Sequence, residues 1–399
     1  MTPDSVKESG DEAQNILFTT SLTLFTLTIG IGIISPILPV IAENMGAGGI
    51  AIGLIFSAFS ISRLVFLPVF GKLSDRFGKR IFVLFGLLLY SILAFLYAFA
   101  KTPEELVAVR LFHGMSSAMV MPVILAMVAE FSPSGKEGNY MGTANRAIFL
   151  GMAFGPFIGG VVSDAYSESY AFFAMSLLSL ITLLIAFFTV PEYKAVKKER
   201  LQKNGISRNV VFALAYRVLN SIGRGSIMTF LPVYGHMIGM SYTEIGLIVF
   251  MNLLVSGIIQ PYGGLLSDRR GFTIPVLISS LVSAAILYLI PLTPDFFMLS
   301  ALAALLGFSS AFSLPAVSGL VAYEGKVSGN TGSLMGFFSA SKSLGRAFGP
   351  LIAGLLYDIG GQGMNGIYLA FTAASFLTVL AGTLFWFGVK DSDQIIEIE

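Results

Sequence analysis

Cysteine is absent and histidine occurs twice, as His113 and His236, so disulfides and thiol chemistry are excluded and a transition-metal centre is not expected. Charge is scarce: Asp, Glu, Lys and Arg make up 12% of the 399 residues, against roughly 25% in soluble domains. No phosphate-cradling glycine loop of the nucleotide-binding type is present, which argues against ATP-driven work. The first residues hold Asp4, Glu8, Asp11 and Glu12 against Lys7; they lack the basic start of a cleavable signal peptide, and the first apolar run is expected to be retained. These absences point away from an enzyme, a cofactor protein or a nucleic-acid partner.

What is present is apolar. Hydrophobic residues make up 55% of the chain, with a mean hydropathy of +0.82. Reading runs of about 20 apolar residues as membrane-spanning helices gives twelve: 15–43, 50–71, 80–100, 104–130, 138–164, 169–191, 209–236, 243–267, 272–292, 295–323, 332–358 and 364–389. The chain reads as an all-α integral membrane protein with a tail at 1–14, a six-helix bundle at 15–191, a basic linker at 192–208, a second six-helix bundle at 209–389 and an acidic tail at 390–399. With the N-terminus inside, sixteen Lys and Arg fall in the tails and inner loops, whereas the outer loops hold Lys101 alone. That asymmetry places both termini in the cytoplasm and the protein in a cell membrane.

The two bundles say the same thing twice. At an offset of 193 or 194 residues Pro39 matches Pro232, Gly71 to Asp75 matches Gly264 to Asp268, Pro122 matches Pro315, Glu130 matches Glu324, Gly155-Pro156 matches Gly349-Pro350 and Asp164 matches Asp358. Inverted or repeated halves are how secondary transporters build two bundles that rock about a central site. Seven basic residues lie within spans: Arg63, Arg110, Arg146, Arg217, Arg224, Lys342 and Arg346. They avoid spans 3, 6, 9 and 12, as do mid-span prolines. Charge and broken backbone are tolerated in a bilayer only against protein or water, so every third helix is expected at the periphery and the other eight around a pathway.

The stretch Gly71-Lys-Leu-Ser-Asp75-Arg76-Phe-Gly78-Lys79-Arg80 resembles the signature loop of the major facilitator superfamily. Arg110 with Gly114 and Ala118 resembles its span-4 motif, and Gly151-x-x-x-Gly155-Pro156-x-x-Gly159-Gly160 resembles the motif of its twelve-span drug:proton antiporter branch. The resemblance covers the chain from span 1 to span 12. It implies the major facilitator fold, two pseudo-symmetric six-helix bundles, and alternating access coupled to a proton with no other cofactor. The residues add a physical reading. Asp75 can cap a helix N-terminus across the halves, that of span 11 being the natural one, while Arg76 and Arg80 can pair with Glu130. Asp268, Arg269 and Glu324 form the second copy of this inner latch. Gly151, Gly155 and Gly159 form a smooth stripe for close helix packing, repeated by Gly345 and Gly349, and Pro156 and Pro350 are expected to bend their helices.

Arg110, His113, Arg146, Asn220, Arg224, Asn252, Gln260, Phe337, Lys342 and Arg346 are the residues expected at the substrate cavity. Arg224, Lys342 and Arg346 lie nearest mid-span, where no Asp or Glu is found. They either hydrogen-bond carbonyls between helices or bind an anionic or polar group of the substrate. Span 1 carries no ionisable group from Thr19 to Ile34, which departs from the antiporter pattern and leaves His113, Glu43 and Asp164 as candidate proton carriers. The expectation is a monomeric, lipid-embedded exporter of small amphipathic compounds. The alternatives are a transporter of organic or lipid-like anions using Arg224, Lys342 and Arg346, and a non-transporting membrane sensor.

Overall fold

The computed structural model describes residues 3–132, 137–190, 192, 206–328 and 331–389. Residues 193–205 of the linker and the tail from residue 390 lie outside the described residues. The first span is two helices, α1 (Pro3–Ile33) and α2 (Leu38–Asn44). Pro36 has no amide hydrogen to continue the ladder, and Pro39 takes the first turn of α2, where that hydrogen is not needed. The remaining spans are α3 (Gly49–Phe77), α4 (Lys79–Tyr97), α5 (Pro103–Phe131), α6 (Glu137–Ala165) and α7 (Glu168–Thr189). After the linker come α8 (Arg208–Met237), α9 (Tyr242–Arg270), α10 (Thr273–Leu289), α11 (Phe296–Ser328), α12 (Thr331–Ile359) and α13 (Met364–Gly388).

Among the described residues, ten spans are long and apolar enough to cross a membrane. Not among the ten are α8 and α12, the helices that carry Arg217, Arg224, Lys342 and Arg346. Several helices overrun the apolar run at the inner end, α3 reaching Phe77 and α11 Ser328, because a helix continues past the point where its residues turn polar. Polar caps fix some of the starts. Thr102 accepts from the Glu105 amide ahead of α5, and Ser241 with Glu244 forms a reciprocal capping box on α9. The turn from α3 to α4 passes through Gly78 at φ 102° and its counterpart from α9 to α10 through Gly271 at φ 78°, a backbone region that a side chain resists.

Within the first half, α1 packs on α6 and α3 on α5; within the second, α8 packs on α12 and α9 on α11. Small residues make these contacts. A Cβ on Gly151, Gly155 or Gly159 would collide with α1 backbone between Phe25 and Ile33, and one on Gly345 or Gly349 with α8 between Val218 and Ile222. The stripes therefore hold each half together. Both α6 and α12 run as unbroken helix through Pro156 and Pro350. Helices α4, α7, α10 and α13 pack on neighbours of their own half, whereas α3 with α12 and α6 with α9 join the halves.

Candidate functional site

The outer end, opposite the basic loops, is where the halves meet. The Asp358 carboxylate at the end of α12 accepts hydrogen bonds from the backbone N–H of Gly49 (2.7 Å) and Ile50 (2.8 Å) at the start of α3. In the second copy, Asp164 at the end of α6 accepts from Tyr242 (3.0 Å) and Thr243 (2.7 Å) at the start of α9. Each carboxylate satisfies two of the amides that a helix start leaves open, at the positive end of its dipole. Tyr242 also donates its hydroxyl to Glu168 at 2.8 Å. One turn deeper, the backbones touch where glycine allows it. A Cβ on Gly53 would collide with the Pro350 carbonyl, and one on Gly246 with the Pro156 carbonyl.

At the inner ends of α3, α6 and α12, a Cβ on Gly71, Gly142 or Gly336 would meet nothing within 4 Å. The halves are sealed outside and splayed inside. The inner latch differs accordingly from the sequence reading. Asp75 is 58% exposed, with Lys79 Nζ at 3.8 Å. Residues 329 and 330, just ahead of α12, and the Asp268 side chain lie outside the described residues. Glu130 is paired with Lys79, which is 1% exposed, and not with Arg76 or Arg80. Arg80 instead donates to the Phe187 carbonyl at 2.7 Å, and Arg76 lies over the Phe77 ring. Glu324 accepts from Asn209 at 2.8 Å, while Arg269 is exposed. The positive φ at Gly78 resets the helical phase, so that Lys79, the first residue of α4, turns inward toward α5.

Arg110 and His113 lie inside the first half and away from the gap between halves, which corrects their place among the cavity residues. His113 is fully buried, its Nδ1 2.9 Å from the Tyr97 hydroxyl, with Phe59, Tyr90 and Tyr97 packed edge-on. Arg110, 5% exposed, faces the Phe56 and Phe59 rings. Asn252 donates to the Ala303 carbonyl at 2.8 Å and so ties α9 to α11, and Asn220 reaches the Tyr216 hydroxyl at 3.4 Å. Arg146 and Phe337 are exposed, and Gln260 is half-buried.

Lys342 and Arg224 are half-buried and Arg346 is exposed despite its mid-span position. Two residues outside the expected set join them. Arg63 on α3 and Arg217 on α8 are close enough for their charges to bear on Lys342. Arg217 sits 4.9 Å from the ring centroid of Phe338, the neighbour of Phe337. Their signal in the sequence was their charge within a span. Among the described residues, the ion pairs are Lys79 with Asp75 and with Glu130, so none of these five cations has a carboxylate partner. Of the proton-carrier candidates, Glu43 lies beside Tyr357 of the other half and has one buried oxygen without a hydrogen-bond partner, whereas Asp164 is committed to its cap.

Comparison with known proteins accords with this architecture. The chain is 31% identical over 366 residues to multidrug resistance protein 1 of Bacillus subtilis, covering 87% of this chain and 91% of that one. It is 26% identical to the quinolone resistance protein NorA of Staphylococcus aureus, covering 86% and 90%. Its fold superposes with a TM-score of 0.81, at 13% identity and over 97% of this chain and 99% of the other, on a bacterial homolog of the human lysosomal transporter Spinster crystallised inward-facing and unoccupied. The family model of the Major Facilitator Superfamily matches residues 20–217 and again 213–396. The chain is a multi-pass membrane protein that belongs to this superfamily of small-molecule transporters.

Proposed function

We propose that this protein exports small amphipathic, drug-like compounds by alternating access, in exchange for protons and with no other cofactor. The observation that carries the reading is the matched outer seal: Asp164 and Asp358 cap helices of the opposite half while the inner ends stand apart. Such an arrangement is one of two end states, since reversing the rock breaks two pairs of hydrogen bonds outside and brings Asp75 toward the other half inside. The drug-resistance relatives support the substrate class, and the Lys and Arg of the inner loops support cytoplasmic termini in a cell membrane. The transporter works as a monomer among lipids, and the 15–191 and 209–389 bundles are its moving bodies.

Glu43 is the proton carrier in this reading. It lies at the seam between halves, beside Tyr357, with one buried carboxyl oxygen that has no hydrogen-bond partner while the outer seal is closed. Opening the seal wets the carboxyl and releases the constraint. The test is proton movement in proteoliposomes under an imposed pH gradient, followed with an internal pH dye on adding cationic, neutral and anionic amphiphiles. Compound-dependent proton flux that Glu43→Gln abolishes supports the mechanism. Compound flux without proton flux removes the coupling.

A further inference from the structure

Five cationic side chains converge at mid-depth with no acid among them. On α8, Arg217 and Arg224 lie one turn to either side of Ser221, the residue against which Gly345 of α12 packs. On α12, Lys342 and Arg346 flank the same glycine. From the other half, Arg63 of α3 brings a fifth charge, which bears on both Lys342 and Arg346. Arg217 is 9% exposed, and the Nε atoms of Arg63 and Arg217 are buried without a hydrogen-bond partner. Arg63 has only the Met121 sulfur, at 3.5 Å from Nη2, as a weak acceptor. Carboxylates occur at the helix ends and not between them. Like charges this close repel, and a protein that keeps them unpaired in a bilayer keeps them for something negative.

The neighbourhood selects what that is. One turn outward from Arg224 the surroundings turn apolar: Ile227, Met228, Leu231, Val249 and Leu306 enclose a small void with room for about one water. Its polar edge, the Asn252 amide, is already spent on the Ala303 carbonyl. A head of negative charge on oxygen fits the cations.

We propose that Arg63, Arg217, Arg224, Lys342 and Arg346 form the head-group site for amphiphiles bearing a carboxylate, sulfonate or phosphate ester, and that these are the compounds this transporter moves. The inference rests on the transport reading above and narrows its substrate class. It also supplies a trigger. With the site empty, Arg63 of one half is repelled by the cations of the other and the inner ends stay apart; an anion between them turns repulsion into attraction and draws the halves together.

The test uses the full chain in nanodiscs of phosphatidylcholine and three fluorescent probes of one skeleton: pyrenebutyrate, its methyl ester and pyrenebutylamine. Pyrenebutyrate is expected to bind at least 30-fold more tightly than the other two, with affinity falling as salt rises. Lys342→Gln and Arg63→Gln should each weaken the acid at least tenfold and leave the ester unchanged, while Lys342→Arg retains binding. Where a glutamine variant does not fold, the contrast among probes and the salt dependence on the unaltered protein decide. Equal binding of the three probes overturns the site, as does unchanged acid binding in folded glutamine variants. Displacement by phosphatidylglycerol supports the site with a lipid head group as its occupant; the absence of displacement supports it with the free amphiphile. Binding needs no gradient, so acid binding without vesicle transport refutes the exporter and keeps the site, whereas export of the amine without acid binding does the reverse.

Discussion

Asp164 and Asp358, 194 residues apart, do the same thing to opposite halves: each ends its own helix and accepts two backbone amides from the start of a helix in the other bundle. The outer seal is thus two copies of one device, related by the duplication that built the chain. Its position at the edge of the bundle, where water can reach the carboxylates once the helices part, makes it strong enough to hold and weak enough to open.

Removing one of these charges should tip the conformational equilibrium. A carboxylate at a helix N-terminus contributes about 0.3–1 kcal/mol, rising to about 2 kcal/mol when partly buried. At 1–2 kcal/mol, Asp164→Asn or Asp358→Asn shifts the population toward the outside-open state by roughly 5- to 30-fold, and the double variant by more. Because the chain has no cysteine, spin labels introduced at Tyr166→Cys and Phe297→Cys report the outer distance without background. A distance distribution unchanged in the double variant would refute the seal.

Much of this architecture was legible beforehand. Spans, repeat and peripheral helices follow from apolar run length and from where the prolines and charges are not, because a bilayer permits few other arrangements. What escaped was direction. Asp164 and Asp358 stood out as a repeated acid at a helix end, but only the neighbouring helix start shows that they cap. Arg110 and His113 point into their own half because α5 is protein-facing on more than one side, and a linear pattern does not say which side faces the gap.

The glycines of the seal offer a steric test. Gly53→Ala or Gly246→Ala puts a methyl into the Pro350 or Pro156 carbonyl, so α3 and α12, or α6 and α9, must separate. Transport should fall at least tenfold, and the outer labels should move apart even without substrate. Gly257→Ala, which meets open space in this state, should leave the outer distance where it is.

Lys79 and Glu130 test the corrected inner pairing. Lys79 is buried and bonded to Glu130, whereas Arg80 is engaged by the Phe187 carbonyl. Glu130→Gln or Lys79→Met should cost about 1.5–3 kcal/mol of stability, as for a hydrogen bond to a charged group. The double variant should cost less than the sum, while Arg80→Gln paired with Glu130→Gln should be additive. Unfolding midpoints of the purified variants, measured in one detergent, resolve the cycle. Coupling to Arg80 in place of Lys79 would contradict the structure.

The last prediction concerns the histidine that the sequence offers as a proton carrier. His113 is enclosed by Phe59, Tyr90 and Tyr97, bonded to the Tyr97 hydroxyl, and shut off from the space between the halves. A proton on it has no route to either side without opening the first bundle, and its Nε2 has no acceptor to share a charge with. Replacing it with Gln should therefore lower stability by about 1–3 kcal/mol, the cost of disturbing a buried hydrogen bond, and leave the pH profile of transport in place. Glu43→Gln should do the opposite, leaving the unfolding midpoint within about 0.5 kcal/mol of the parent and flattening the pH dependence. Transport assayed from pH 5.5 to 8.5 on both variants separates them, and a pH profile that moves with His113 instead of Glu43 would return the histidine to the coupling path.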